Sequence, residues 1–165
     1  MAKHSLKNWN NRLKSPAYWW STFFGIGMIK WAPGTWGSLF GAMAGYGLIL
    51  LGFDWVMLLA ASLVVTLLSV RAIDHIEKET GIHDSGEIVI DEVAGQWIAM
   101  IPLTFAGSEL TLETIAYSFA LFRLFDILKP WPIGWLDKKV SGGFGVMVDD
   151  IVAGLMAAFC LYYIL

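Results

Sequence analysis

Two adjacent carboxylates, Asp149 and Asp150, stand at the head of the last apolar run of the chain, "MVDDIVAGLMAAFCLYYIL". Asp91 and Glu92 repeat the arrangement in "EIVIDEVAGQWIAMIPLTF", and a Val-Ala-Gly follows closely in both places. Ionisable groups inside apolar helices cost ~2.5–3.5 kcal/mol each at a helix centre on insertion scales, less near the interface, and generally mark function. Four carboxylates gathered at one level also repel one another unless something positive lies between them. Their oxygens suit a hard divalent cation such as magnesium, which keeps waters and phosphate oxygens in its shell. His4, His75 and His83 lack the paired spacing of a helical zinc motif, and there is no thiolate cluster, so magnesium or manganese is favoured over zinc. Either pair alone is equally well read as helix N-capping. Two pairs in matched positions weigh against that reading.

Arg123, Asp126 and Lys129 follow one another at helical i+3 spacing and share a stripe. The first two make a plain intrahelical ion pair on their own. Beside a carboxylate-bound metal, however, an Arg and a Lys form a phosphate-binding set, the Arg gripping two oxygens at once. In "KWAPGTWGSLFG", Pro33 and Gly34 force a turn, Thr35 and Ser38 offer hydroxyls, and Ser38 is placed to cap the helix that follows. Backbone N–H groups at such a helix start bind anions, although the Gly-Lys-Ser/Thr ending of a nucleotide-binding phosphate loop is missing. The inventory matches phosphoryl transfer, which needs charge neutralised on the non-bridging oxygens and a nucleophile in line. Attack by a metal-activated water and attack by a carboxylate through an acyl phosphate are both open at this point.

The elements that must position these residues are apolar. Hydrophobic residues make up 57% of the 165 and charged residues 15%, against roughly 45–50% and about 25% in ordinary soluble proteins, and the mean hydropathy is +0.62. Runs at about 38–53, 55–70, 88–106, 112–128 and 149–165 predict an all-α, polytopic membrane helical bundle with four or five membrane-embedded helices. The segment at 20–30 either crosses or only enters the bilayer. Lys and Arg concentrate in the N-terminus and in alternate loops (Arg71 and Lys78; Lys129, Lys138 and Lys139), which places these regions in the cytoplasm. The acidic and basic candidates then arrive near that one membrane face. Trp131 and Trp135, in "KPWPIGW", read as belt residues at that boundary.

Leu6, Trp9 and Leu13 recur at helical spacing beside Lys3, Lys7, Arg12 and Lys14, the pattern of an amphipathic helix on an anionic surface or of a frayed basic tail. No processing site follows, so this segment is expected to stay attached. The chain reads as a single domain, 1–165, with an interfacial segment at 1–30 and a catalytic helical core at 31–165. Cys160 has no partner for a disulfide and reads as a packing residue. A net charge of -3 without an arginine-rich pattern argues against nucleic acid.

Together, "APGTWGSL", "GIHDSGEIVIDEVAGQWIA", "FRLFDILKPWPIGWLD" and "GGFGVMVDDIVAG" resemble, in order and spacing, the phosphatidylglycerophosphatase A family of bacterial membrane phosphatases. The resemblance runs from about Gly25 to the C-terminus. It implies a magnesium-dependent phosphoric monoester hydrolase that converts phosphatidylglycerophosphate to phosphatidylglycerol and inorganic phosphate in phospholipid biosynthesis at the bacterial inner membrane. It also implies an all-helical core. The site residues it implies are His83, Asp84, Asp91 and Glu92 from the acidic block, Arg123, Asp126, Lys129 and Asp137 from the central block, and Asp149 and Asp150 from the last. Asp91, Glu92, Asp149 and Asp150 are expected to hold the metal, Arg123, Lys129, Thr35 and Ser38 the phosphate, and His83, Asp126 and Asp137 to support them. The departure is "MIKWAPGT", where the family's pattern has a proline-like turn residue near Ile29 or Lys30.

Three other classes use similar parts. A cation transporter or channel also buries carboxylates, but near the midplane and with an exit path. A membrane scaffold would use the pairs as caps. The phosphatidyl-alcohol transferases carry a run of spaced Asp residues with Ala-Arg that is absent here. A homo-oligomer is compatible with the sequence.

Overall fold

The computed structural model describes residues 5–83, 85–105 and 107–165, so that Asp84 lies outside the described residues. Among the described residues the architecture is all-helical: α1 (Pro16–Ser21), α2 (Pro33–Leu50), α3 (Trp55–Thr80), α4 (Ile90–Ala99), α5 (Leu112–Leu128), α6 (Ile133–Lys139) and α7 (Gly142–Ile164), with short 3-10 turns between some of them. The 26-residue α3 and the 23-residue α7 are long and apolar enough to cross a membrane. Large apolar side chains such as Leu63, Val64, Leu67, Leu124, Ile127, Leu155 and Phe159 are exposed along α3, α5 and α7. A surface of that kind suits hydrocarbon rather than water.

The expected run at 88–106 is not one long helix. α4 has only 10 residues, ~15 Å at 1.5 Å per residue, short of the ~30 Å hydrocarbon core. It gives way at Met100 to a 3-10 turn, Ile101–Thr104, that contains Pro102. Proline has no N–H to continue an α-helical ladder. In compensation α4 is buried on nearly all sides and acts as the hub. Trp97 Nε1 donates to Gly41 O of α2 at 2.9 Å, Ser62 Oγ of α3 donates to Ala94 O at 2.9 Å, and Gln96 Nε2 donates to Ser118 Oγ of α5 at 2.8 Å. These bonds satisfy polar groups that neither lipid nor a dry interior could solvate.

Small residues let the backbones close around that hub. Gly37, Gly41 and Gly45 form one stripe of α2 against Val89, Val93 and Met100, the small-residue pattern of membrane helix packing. The tightest seam joins α4 and α7. A Cβ on Gly95 would lie 2.5 Å from Asp150 O and 2.6 Å from a ring carbon of Phe122, and one on Gly154 would collide with Gly95 O.

The N-terminal residues do not form the expected amphipathic helix. Leu6–Asn8 and Arg12–Lys14 are separate 3-10 turns; Leu6 is fully buried and Trp9 packs on the same core, while Leu13 stays exposed. The segment docks on its own protein because Ser5 Oγ and Leu6 N both donate to the Glu87 carboxylate, each at 2.5 Å. Residues 20–30 hold the end of α1, tight turns and the 3-10 turn Ile26–Met28, and so make no spanning helix.

Because the α4–α7 seam leaves no room for a methyl group, Gly154→Ala is expected to cost about 1–3 kcal/mol, as overpacking does. Gly47→Ala, whose Cβ would meet nothing within 4 Å, should cause no loss. Thermal unfolding of both variants in detergent checks this, and equal melting would contradict the packing described.

Candidate active site

The α4–α7 seam places the acidic residues. Asp91 lies four residues before Gly95, and Asp150 four before Gly154, about one turn along the same face of each helix. Where the two glycines meet, the two carboxylates one turn earlier are brought together. One oxygen from each of Asp91, Glu92 and Asp150 falls within a 4.8 Å set. Asp91 Oδ1 and Glu92 Oε2 are buried and have no hydrogen-bond partner. Buried polar atoms left in this state call for an explanation, and an oxygen-liganded hard cation supplies one.

The capping account fails for Asp149 and Asp150. α7 begins at Gly142, so Asp149 and Asp150 lie in its third turn and not its first. α7 is served instead by Asp74 of α3, whose Oδ1 accepts from Gly143 N at 2.6 Å. Asp91 and Glu92 do sit in the first turn of α4, where carboxylates suit the helix dipole, although the N-cap residue, Val89, makes no side-chain cap.

Asp149 stands apart from the trio. Its Oδ2 accepts from Lys129 Nζ at 2.7 Å, and the same ammonium donates to Asp137 Oδ1 of α6 at 2.5 Å. Lys129 does not continue the helical stripe expected of it; it ends α5 in the left-handed region, with φ 43°. Partial burial pulls its ammonium pKa down, but the hydrogen bonds and charges of Asp137 and Asp149 outweigh this and hold it above the usual lysine range. Lys129 therefore stays protonated at physiological pH.

Arg123 is turned elsewhere. Its Nη1 pairs with Asp126 Oδ2 and donates to Ser38 Oγ at 3.3 Å. It also comes close to Glu92 at the start of α2, where a Cβ on Gly34 would meet both side chains. Ser38 is not a cap: α2 begins five residues earlier at Pro33, and Ser38 Oγ donates to Gly34 O at 2.8 Å. Neither Ser38 nor Thr35 nor Arg123 lines the cavity of about 140 Å³ that the acidic residues enclose. Its walls carry Asp91, Glu92, Asp126, Asp137, Asp149 and Asp150, with Lys129 and His83. His83 Nδ1 is 3.2 Å from Glu77 Oε1. Sequence reasoning missed Glu77, Asp74 and Glu87, each of which acts through a partner distant in sequence or in a loop.

Among the described residues, six carboxylates and one lysine line this pocket at one end of an apolar helical bundle. The fold and the pocket define a membrane-type helical protein with a buried acidic site. The chain belongs to the phosphatidylglycerophosphatase A family, whose profile matches residues 19–165. It is 35% identical over 153 residues to phosphatidylglycerophosphatase A of Escherichia coli K12, covering 93% of this chain and 86% of that protein. It is 38% identical over 161 residues to that of Haemophilus influenzae, covering 94% and 95%. A Bacteroides thetaiotaomicron protein provisionally named phosphatidylinositol-3-phosphatase is 36% identical over 137 residues, 81% of this chain and 84% of that one. No solved structure matches the chain. Membership of this family removes the ground for the transporter, scaffold and alcohol-transferase alternatives.

Lys129→Met leaves the side chain of Asp149, only 9% exposed, without its counter-charge. The expected cost is about 2 kcal/mol, below the ~3–5 of a wholly buried pair because Lys129 is partly exposed. Adding Asp149→Asn should recover part of it. A double-mutant cycle measured by unfolding in detergent checks this, and strictly additive losses would contradict the pairing.

Proposed function

We infer that the chain is a lipid phosphatase that removes the terminal phosphate of phosphatidylglycerophosphate, leaving phosphatidylglycerol. Family membership supports the substrate, and the meeting of Asp91, Glu92 and Asp150 beside the Lys129–Asp149 pair carries the mechanism. The carboxylate trio is the set that would hold magnesium, an ion that polarises a phosphate ester and makes bound water more acidic when present. Asp149, expected from the sequence to be a metal ligand, is assigned instead to Lys129.

The other steps belong to the chain's own side chains. Lys129, steadied by Asp137 and Asp149, offers its ammonium to a non-bridging phosphate oxygen. Arg123 stays behind the wall and offsets the charge of Asp126 and the nearby Glu92. Every described carboxylate of the pocket is either in the trio or paired with Lys129 or Arg123. In this reading water, and not one of these carboxylates, attacks phosphorus. The water oxygen bonds to phosphorus and loses a proton to solvent, the phosphorus–glycerol oxygen bond breaks, and the glycerol oxygen takes a proton from His83, which lines the pocket with Nδ1 toward Glu77 and regains its proton from solvent.

The membrane setting follows from the same reading. α2, α4 and α5 are embedded beside the α3 and α7 spans, in a multi-pass arrangement at the inner membrane with the acidic pocket on the cytoplasmic side. The Lys and Arg bias of the loops supports this orientation. So does the exposure of Trp131 and Trp135 next to the pocket-bearing loop. The acyl chains stay in the leaflet while the headgroup phosphate reaches the pocket.

Phosphate release from phosphatidylglycerophosphate by the purified protein in detergent tests the reading. Release should require magnesium, stop with excess chelator, and fall at least ~100-fold in a folded Asp150→Asn variant, the scale of losing a metal ligand or its electrostatic stabilisation. Undiminished turnover in chelator would sink the metal assignment, and no release by a folded native protein under any divalent ion would sink the substrate.

A further inference from the structure

A second cavity, of about 260 Å³, lies beside the acidic pocket and shares Ser85 and Gly86 with it. Its chemistry has the opposite sign. Lys7 and Lys30 line it, and among the described residues neither has a carboxylate within ion-pair distance. Glu87 is the acidic residue of its wall, and both oxygens of that carboxylate are already engaged by Ser5 Oγ and Leu6 N. The same clamp holds the N-terminal segment in place and so sets Lys7 at the cavity. Pro33, the first residue of α2, completes the link. It lines the basic cavity, while its neighbour Gly34 lies against the side chain of Glu92, which lines the acidic one.

The substrate of the reaction proposed above carries two phosphates, a terminal monoester and a diester to the diacylglycerol, separated by one glycerol. An acidic pocket that accommodates the monoester with a cation repels a second anion that brings no cation of its own. The diester must therefore lie outside it and within a glycerol's reach. We propose that the cavity of Lys7 and Lys30 binds this lipid phosphodiester. The inference rests on the acidic pocket being the site of phosphate release. Lys30 lies between Ile29 and Trp31, both exposed, Trp31 to 83%. An aromatic residue in that position favours the membrane–water boundary, so a lipid headgroup suits the cavity better than a free phosphate does.

The test compares the native chain, Lys7→Ala/Lys30→Ala and Lys7→Arg/Lys30→Arg in mixed micelles of neutral detergent and phosphatidylglycerophosphate. Two inhibitors separate the subsites: phosphatidylglycerol, which carries only the diester, and inorganic phosphate, which mimics only the released group. In the alanine pair KM should rise about tenfold, the scale of a lost charge-assisted contact. Inhibition by phosphatidylglycerol should weaken by a similar factor while inhibition by inorganic phosphate holds, and the arginine pair should regain most of the loss. Native KM and native phosphatidylglycerol inhibition in the alanine pair would overturn the proposal. So would a native enzyme that phosphatidylglycerol does not inhibit, or equal weakening of both inhibitors, which marks a general field. Failure of the phosphatase reading itself shows separately, as no phosphate release by the native chain.

Discussion

The contact between Gly95 and Gly154 is the constraint on which the rest of the structure depends. Two helices approach until the backbone of one fills the place a side chain would take on the other. Asp91 and Asp150, each one turn before its glycine, are thereby held together with Glu92 at a single point. The remaining helices keep that seam closed. α2 presses on α4 through its glycine stripe, α3 through the Ser62 bond, and α5 through Gln96 and Phe122. A short, fully surrounded α4 is better suited to this than a long lipid-facing span, because every face of it is fixed by a neighbour.

That geometry is electrostatically expensive. Like charges in a low-dielectric setting repel far more strongly than in water, and among its described lining residues the pocket holds six carboxylates against one lysine, Lys129. The chain meets part of the cost with two local pairings, Lys129 with Asp137 and Asp149, and Arg123 with Asp126. It leaves Asp91 Oδ1 and Glu92 Oε2 without partners. A cation held by the trio, as proposed above, would offset the remaining charge and couple fold stability to cation affinity.

Much of the site was legible from residue type and order. The two acidic pairs, the Val-Ala-Gly that follows each, and the Arg123–Asp126–Lys129 spacing all identified residues that the fold brings to one end of the bundle. What spacing could not reveal was the partition among them. Asp149 and Asp150 are adjacent in sequence, yet one faces Lys129 and the other the trio, because neighbouring residues on a helix point about 100° apart. α7 starts at Gly142, seven residues before the expected run at 149–165, where Asp74, nearly 70 residues away in sequence, accepts from Gly143 N. The end of α4 was legible in Pro102, which breaks the apolar run at 88–106, but hydropathy alone does not show that break. The N-terminal segment followed amphipathic spacing, but its destination was set by Glu87, a tertiary contact with no local signature.

The most direct test of the central claim is to locate a bound ion, by anomalous scattering from crystals of the protein soaked in manganese. The account predicts a peak bound by oxygens of Asp91, Glu92 and Asp150, with Asp149 still on Lys129. A peak held by Asp149 and Asp137 instead, or none at the trio while the protein is active, would contradict it.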